Sequence, residues 1–487
     1  MNGQGAVTRG QQNTALGMST LAFTVCFAVW TIFSIIGVRI KEDLGLSDTQ
    51  FGLLAGTPIL TGSLSRIFLG IWTDQYGGRI VYVTTMVLAA VATFVLSLAS
   101  TYEMMLLAAL GLGLAGGSFA VGIAYVSKWY PSEKQGTALG IFGAGNVGAA
   151  VTKFTAPFVL LAFGWQTVAQ VWAAALIVMA VVFWLTTEDD PELQQRKRTG
   201  TRARGALLQL APLKYPQVWR FAIYYFFVFG AFVALALWLP RYLVGVYDLD
   251  IATAGVLAAF YSVPASLFRA YGGFLSDRFG ARAIMYWTFS VSALCCFLLS
   301  YPDTQYAVRG IEGPISFQIN MGLVPFVGLV FVLGFFMSLG KAAVYKHIPV
   351  YYPEHIGSVG GLVGMIGGLG GFILPIAFGA LNDLTGVATS CFMLLFVLVV
   401  IALFWMHFTI GRMEKSAAFG ALKGLPELPE LVRVHGPEHQ GALGPRSARF
   451  SEKCVHIERR EHPIPQNIER QISMAARHRR PSTEQLR

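Results

Sequence analysis

Apolar residues are not spread evenly along this chain but gathered into twelve runs of roughly 20 residues, separated by short polar stretches. They fall near 17–38, 51–72, 80–99, 105–128, 137–162, 167–186, 218–239, 252–275, 283–301, 322–347, 357–380 and 388–410. A helix rising 1.5 Å per residue needs about 20 residues to cross about 30 Å of hydrocarbon, so each run predicts one membrane-spanning helix. The first run follows a polar leader containing only Arg9, exceeds a signal-peptide core in length and has no small-residue cleavage site after it, so it reads as a retained helix. The expectation is an all-α membrane protein.

The pattern also repeats. The segment "SLSRIFLGIWTDQYGGR" from Ser63 and the segment "SLFRAYGGFLSDRFGAR" from Ser266 align Arg66 with Arg269, Gly70 with Gly273, Asp74 with Asp277, Gly77 with Gly280 and Arg79 with Arg282, each pair 203 residues apart. A second pair, "GTALGIFGAGNVGAA" from Gly136 and "GSVGGLVGMIGGLGG" from Gly357, aligns at 221 residues. The difference of 18 corresponds to one insertion, and the loop "DTQYAVRGIEGPISFQI" lies in the right place for it. The chain therefore divides into a six-helix bundle over 1–186, a basic linker over 187–217, a second six-helix bundle over 218–412 and a tail over 413–487. The tail mixes Pro, Gly, Arg, Glu and His without periodicity, and the expectation is disorder. Its histidines (His435, His439, His456, His462 and His478) lack metal-ligand spacing.

Charge orients the bundle. Basic residues crowd "QQRKRTGTRARG" in the linker and the tail, while the opposite loops carry only Arg39, Lys41, Arg241 and Arg309. By the positive-inside rule both termini are cytoplasmic, and the net charge of +10 is mostly this topology signal rather than a nucleic-acid surface. Four of five cysteines (Cys26, Cys295, Cys296 and Cys391) lie inside apolar runs, which predicts neither disulfides nor a metal centre. No nucleophile triad or phosphate loop appears, and the G-x-G of the fifth run has no strand before it, so an enzyme is not expected. A receptor would need a signalling domain, and the tail lacks globular patterning.

The chemistry lies in what the apolar runs contain. Arg66 and Arg269 each sit about 12 Å inside a loop carboxylate, near mid-membrane, where a charge costs about 3 kcal/mol and ordinarily faces a pathway. Not one Asp or Glu falls inside any run. Two permanent cations without a fixed counter-charge predict an anionic cargo, and the planar forked donors of arginine suit a planar oxyanion. Tyr225 and Phe229 lie one turn apart in the seventh run, Lys341 and Tyr345 share a face in the tenth, and Phe119 lies in "GGSFAVG" of the fourth. Gly143, Asn146, Ala150 and Lys153 form a stripe on the fifth. Lys153 is expected near the outer face, free to snorkel, as Lys128 and Lys346 are towards the cytoplasm.

The doubled Gly-x-x-x-Asp-x-x-Gly-x-Arg loop, after the second helix of each half, resembles the major facilitator superfamily over residues 15–412. The resemblance implies twelve transmembrane helices in two pseudo-symmetric six-helix bundles rocking about a midplane site. It also implies that Asp74, Arg79, Asp277 and Arg282 take part in gating. "GIFGAGNVGAAV" and "GMIGGLGGFILP" resemble the paired glycine-rich signatures of the nitrate/nitrite porter family, the NarK group, through Gly143, Gly145, Gly148, Gly364, Gly367, Gly368 and Gly371. That resemblance implies an anion held by Arg66 and Arg269, sandwiched by Phe119 and Tyr345 and lined by Tyr225 and Asn146. Tyr345 stands where many members have Phe, and Lys341 adds a cation where a small neutral residue is expected.

The resulting expectation is a secondary transporter of nitrate and/or nitrite in a bacterial inner membrane, with the lipid bilayer and possible coupled protons as its other partners. No cofactor, metal or nucleic acid is implied. Coupling is read as nitrate/proton symport, with Lys341 and His347 as candidate proton carriers, and nitrate/nitrite exchange as the other mode. A major facilitator carrier of another small anion, a carboxylate or phosphate, is the alternative.

Overall fold

The computed structural model describes residues 8–200, 214–352 and 356–421. The middle of the expected linker and nearly all of the expected tail, with its five histidines, lie outside the described residues.

Among the described residues ten helices are long and apolar enough to span a membrane, and a bent pair makes an eleventh. The stretch Thr137–Thr186 is 50 residues long, about 75 Å at helical rise and far beyond one bilayer crossing. It breaks at Gly164, whose φ of 83° and ψ of 165° no helix contains, and so makes two spans. The twelve are α1 (Arg9–Trp30), α2 (Asp48–Tyr76), α3 (Gly78–Leu96), α4 (Tyr102–Ser127), α5 (137–163), α6 (165–186), α7 (Pro216–Tyr247), α8 (Ile251–Leu267 with Arg269–Phe279), α9 (Ala281–Leu299), α10 (Leu323–Tyr351), α11 (Ile356–Thr385) and α12 (Ser390–Ala421). Past Trp30, α1 continues through a tight turn, Ile32–Ser34, into a second helix, Ile36–Leu44. Large apolar side chains such as Leu107, Phe163, Leu185 and Phe408 remain exposed around the perimeter, as lipid contact requires.

The face where α1 begins and α12 ends is called the terminal face below, and the opposite one the distal face. The repeated sequence motif returns as a repeated backbone. Gly77, between α2 and α3, has φ 94° and ψ 147°; Gly280, between α8 and α9, has φ 84° and ψ 140°. A Cβ at such positive φ is strained, which accounts for glycine at both reversals. Asp74 pairs at 3.1 Å with Lys128, the residue that caps the end of α4, and Asp277 pairs with Lys346 of α10. These two lysines, expected to snorkel, are thus held by the motif carboxylates, each within its own half. Arg79 lies over the Trp184 ring, 4.1 Å from its centroid, and donates to the Trp184 carbonyl; Arg282 occupies the equivalent place at the start of α9. The short linker helix Pro191–Thr199 is capped by Asp190 and seats Leu193 against Gly77.

The distal ends of α2 and α11 meet backbone to backbone. Asp48 at the start of α2 takes Lys41 at 3.3 Å, Arg241 of α7 and Asn382 Nδ2 of α11 at 2.7 Å. Asp383 accepts from the amides of Asp48 and Thr49, the first residues of α2, where the helix dipole favours a carboxylate. This network ties the two halves together on that face.

Two elements differ from expectation. The loop over 303–319 is an antiparallel hairpin, Thr304–Arg309 paired with Pro314–Ile319. Lys153, expected to snorkel at the outer face, is instead wholly buried between α5 and α8, where its Nζ donates to Ser262 Oγ at 2.9 Å. Depth along its own helix placed it near an end, but the opposite half covers it there.

Candidate functional site

Three helices are locally irregular where they meet at the centre. In α8, Pro264 supplies no N–H, and the helix turns by 42° between Leu267 and Arg269. In α7, Phe226–Ala231 is a wide turn with i→i+5 hydrogen bonding, where Gly230 lies against the Gly367 carbonyl of α11. In α5, Ala144–Val147 tightens into a 3₁₀ turn. Each irregularity delivers a candidate residue to the middle of the bundle: Arg269, Tyr225 with Phe229, and Asn146.

Arg66 and Arg269 are 2% and 4% exposed. Their guanidinium carbons lie 5.1 and 5.5 Å from the ring centroid of Phe119. Arg66 also faces Trp30 at 5.5 Å and Phe229 at 5.3 Å, and Arg269 faces Tyr345 at 5.4 Å. Arg66 Nη1 donates to the Gly364 carbonyl at 2.6 Å, while its Nε and Nη2, and Nη1 of Arg269, have no hydrogen-bond partner. Among the described residues neither arginine has a carboxylate in ion-pair range, and the only buried carboxylates, Asp48 and Asp190, sit at helix ends. Unspent N–H groups on buried cations are costly and suit an acceptor of opposite charge.

The walls are aromatic. Tyr225 stacks on Phe229 at 5.0 Å and meets Tyr345 edge-on at 5.0 Å. Phe119 and Tyr345, the expected sandwich, stand perpendicular at 6.2 Å. The Tyr345 hydroxyl donates to the Gly360 carbonyl at 3.0 Å. The Tyr225 hydroxyl, beside Arg269 and Tyr345, makes no hydrogen bond of ordinary geometry, and neither amide atom of the fully buried Asn146 has a partner.

The signature glycines divide by what a Cβ would strike. At Gly143 it would fall 2.9 Å from Arg269 Nε, at Gly364 2.9 Å from the Tyr345 hydroxyl and at Gly368 2.3 Å from Ser63 Oγ, so the first clears space for a guanidinium and the other two for side chains beside Arg66. Gly145 and Gly148 seat α5 on the backbone of α1, and Gly367 and Gly371 seat α11 on α7. The first group shapes the site; the second shapes the helix crossings.

Lys341 is fully buried, donates to the Ala265 carbonyl beside the α8 bend, and holds its Nζ 3.5 Å from the Phe232 ring centroid. His347, nearer the terminal face, has Nδ1 2.8 Å from the Ala343 carbonyl and its ring beside Phe221. Sequence reasoning passed over Trp30, whose indole donates to the Pro58 carbonyl at 2.8 Å and fills the space left by Gly62 and Gly116. A lone tryptophan in an apolar run carries no signal of its own. Phe229, seen only as a neighbour of Tyr225, also faces Arg66. Among the described residues no His, Cys, Asp or Glu cluster could hold a metal ion.

Two six-helix bundles around a pair of buried guanidiniums define a multi-pass membrane carrier. The sequence profile of the Major Facilitator Superfamily matches residues 18–324 and 251–435. A protein of Thermus thermophilus described as a probable nitrate/nitrite antiporter NarK1 is 45% identical over 416 residues, covering 83% of this chain and 93% of that one. A nitrite extrusion protein of Bacillus subtilis (strain 168) is 31% identical, covering 82% and 95%. A bacterial homologue of the human lysosomal transporter Spinster, solved in an inward-facing and unoccupied conformation, superposes with a TM-score of 0.62 at 17% identity, covering 82% of this chain and 97% of that one, and shares the fold. The chain belongs to the Major Facilitator Superfamily and, within it, to the NarK group of nitrate/nitrite porters. It is a carrier and not an enzyme.

Proposed function

We propose that this carrier moves nitrate and/or nitrite by alternating access between its two halves, 1–186 and 218–412, in a bacterial inner membrane with both termini in the cytoplasm. One observation carries the reading: two buried guanidiniums flank one aromatic ring with N–H groups unspent, and no carboxylate of the described residues reaches them. A small planar oxyanion supplies both the missing charge and the missing acceptors, and flat apolar walls suit its weak hydration. The kinship with a probable nitrate/nitrite antiporter and a nitrite extrusion protein supports this cargo over a carboxylate or phosphate.

In this scheme Arg66 and Arg269 hold the anion, Phe119, Tyr345 and Tyr225 wall it, and Asn146 offers its amide. Asp74, Arg79, Asp277 and Arg282 brace the terminal-face turns about which the halves rock. The proposed coupling is nitrate/proton symport. The carbonyl and the ring that Lys341 meets are neutral and the charge that reaches it is the like charge of Arg269, so loss of its proton strands no carboxylate, and anion and proton binding become linked. His347 is the second candidate on the way to the cytoplasm. Nitrate/nitrite exchange is the other mode, favoured by the description of the Thermus relative.

Labelled nitrate uptake into proteoliposomes tests both, with and without an inward proton gradient and with or without internal nitrite. Acceleration by the gradient alone supports symport; dependence on internal nitrite supports exchange. Folded protein that moves nitrate under neither condition refutes the cargo.

A further inference from the structure

On the distal side of the arginines the bundle buries two more cations, which have no counter-ion among the described residues. Lys153 of α5 and Lys341 of α10 are both 0% exposed, and both reach the same face of α8, at Ser262 and at Ala265, three residues apart. Every acceptor they use is neutral: Ser262 Oγ and, at 3.3 Å, the Ala149 carbonyl for Lys153; the Ala265 carbonyl for Lys341. Neutral acceptors satisfy hydrogen bonds but leave the charge uncompensated.

Depth and contact say when this changes. Lys153 stands ten residues, about 15 Å, distal of Gly143, which abuts Arg269, and Ser262 stands seven residues, about 10 Å, distal of Arg269. Here the halves are in tight register, for a Cβ on Gly255 of α8 would fall 2.7 Å from the Lys153 carbonyl. Lys153 belongs to one half and its partner Ser262 to the other. Parting the distal ends of α5 and α8 therefore takes Ser262 from the ammonium and turns it to the opening.

We propose that Lys153, with Lys341 one turn along α8, forms a distal way-station for small inorganic anions. It is occupied while the distal side is open and passes the anion to Arg66 and Arg269 as closure returns Ser262 to Lys153. This rests on the anion-transport reading and adds a second, state-dependent site to it. An ammonium is a point donor without a fork, so the station attracts small anions with little choice among them, and discrimination falls to the guanidiniums.

The test is nitrate transport by full-length protein in liposomes of defined orientation, with nitrate varied on one side at a time. For Lys153→Met the expected result is a rise of about tenfold in KM for nitrate on the distal side, with terminal-side KM unchanged. Lys153→Arg restores the distal KM. Ser262→Asp, which keeps the lysine but gives it a fixed counter-charge, raises the distal KM as Lys153→Met does and serves if the latter fails to fold. Equal change of KM on both sides, or a lower maximal rate at unchanged distal KM, overturns the way-station and leaves Lys153 as a pin between α5 and α8. Absence of nitrate transport by the wild-type protein is a different result, and it refutes the cargo.

Discussion

Closure of the distal face rests on two glycines, and adding one methyl group to either should open it. A Cβ on Gly52 of α2 would lie 2.3 Å from the Pro375 carbonyl oxygen of α11, and one on Gly379 of α11 would lie 2.3 Å from the Asp48 carbonyl oxygen of α2. Ordinary contact begins near 3.4 Å, so the helices must separate by about 1 Å; both obstacles are backbone and cannot rotate aside. Overpacking of this kind costs about 1–3 kcal/mol. The cost falls only on the distal-closed state, because in the distal-open state the two helices part. The population ratio should then shift towards the open state by about 5-fold to 150-fold. Hydrogen exchange read by mass spectrometry on protein in nanodiscs measures this. Gly52→Ala and Gly379→Ala should speed exchange in the distal segments of α2 and α11, and slow turnover as one state becomes over-populated. Gly17→Ala, where nothing lies within 4 Å of the added carbon, is the control. Exchange and turnover indistinguishable from wild type in both test variants would refute the claim that backbone contact holds the distal face shut.

Further expectations concern charge. Arg66→Lys and Arg269→Lys keep the positive charge but lose the planar fork, and each should lower kcat/KM for nitrate by about 100-fold in a counterflow assay, with the fold intact by circular dichroism. Asp48→Asn removes the carboxylate shared by Arg241 and Lys41, and should raise distal exchange by about 5-fold, an effect that high salt imitates in the wild-type protein. Lys341→Met should abolish proton-driven uptake while leaving anion counterflow, and loss of neither activity would remove this lysine from the coupling mechanism.

Much of this architecture was legible because membrane helices state themselves in composition and because the chain says the same thing twice. The doubled motif located Arg66 and Arg269 before any contact was known, and the matching backbones of Gly77 and Gly280 show that the repeat is conformational as well as chemical. What stayed hidden depends on the other half of the molecule. Depth along α5 placed Lys153 near a helix end, and no pattern within that helix reveals that α8 covers it with Ser262. Asp48, Asn382 and Asp383 are ordinary loop-edge residues in one dimension; the distal network exists only because α2 and α11 cross there. The hairpin over 304–319 was masked for a different reason, since a short alternating stretch between long apolar runs gives little contrast.

The distribution of charge bears on why an anion carrier of this kind resists cycling empty. Carboxylates in the described spans sit only near the faces, each beside a cation or a helix start, whereas the middle holds cations alone. The two guanidinium carbons, 5.1 and 5.5 Å from one ring centroid, are no more than about 11 Å apart. At an effective dielectric constant of 20 that separation still gives a repulsion of about 1.5 kcal/mol, and any closer approach gives more. Each occlusion without anion must bear this cost, and each occlusion with a bound oxyanion replaces it by attraction. On the proposed alternating-access reading the empty carrier should therefore be slow to reorient unless something else lowers the central charge. In the proposed exchange a second anion would do so, and in the proposed symport proton release from Lys341 would remove one positive charge beside Arg269. The guanidinium pair keeps its charge in either proposed mode, so the fate of the Lys341 proton is what would separate them.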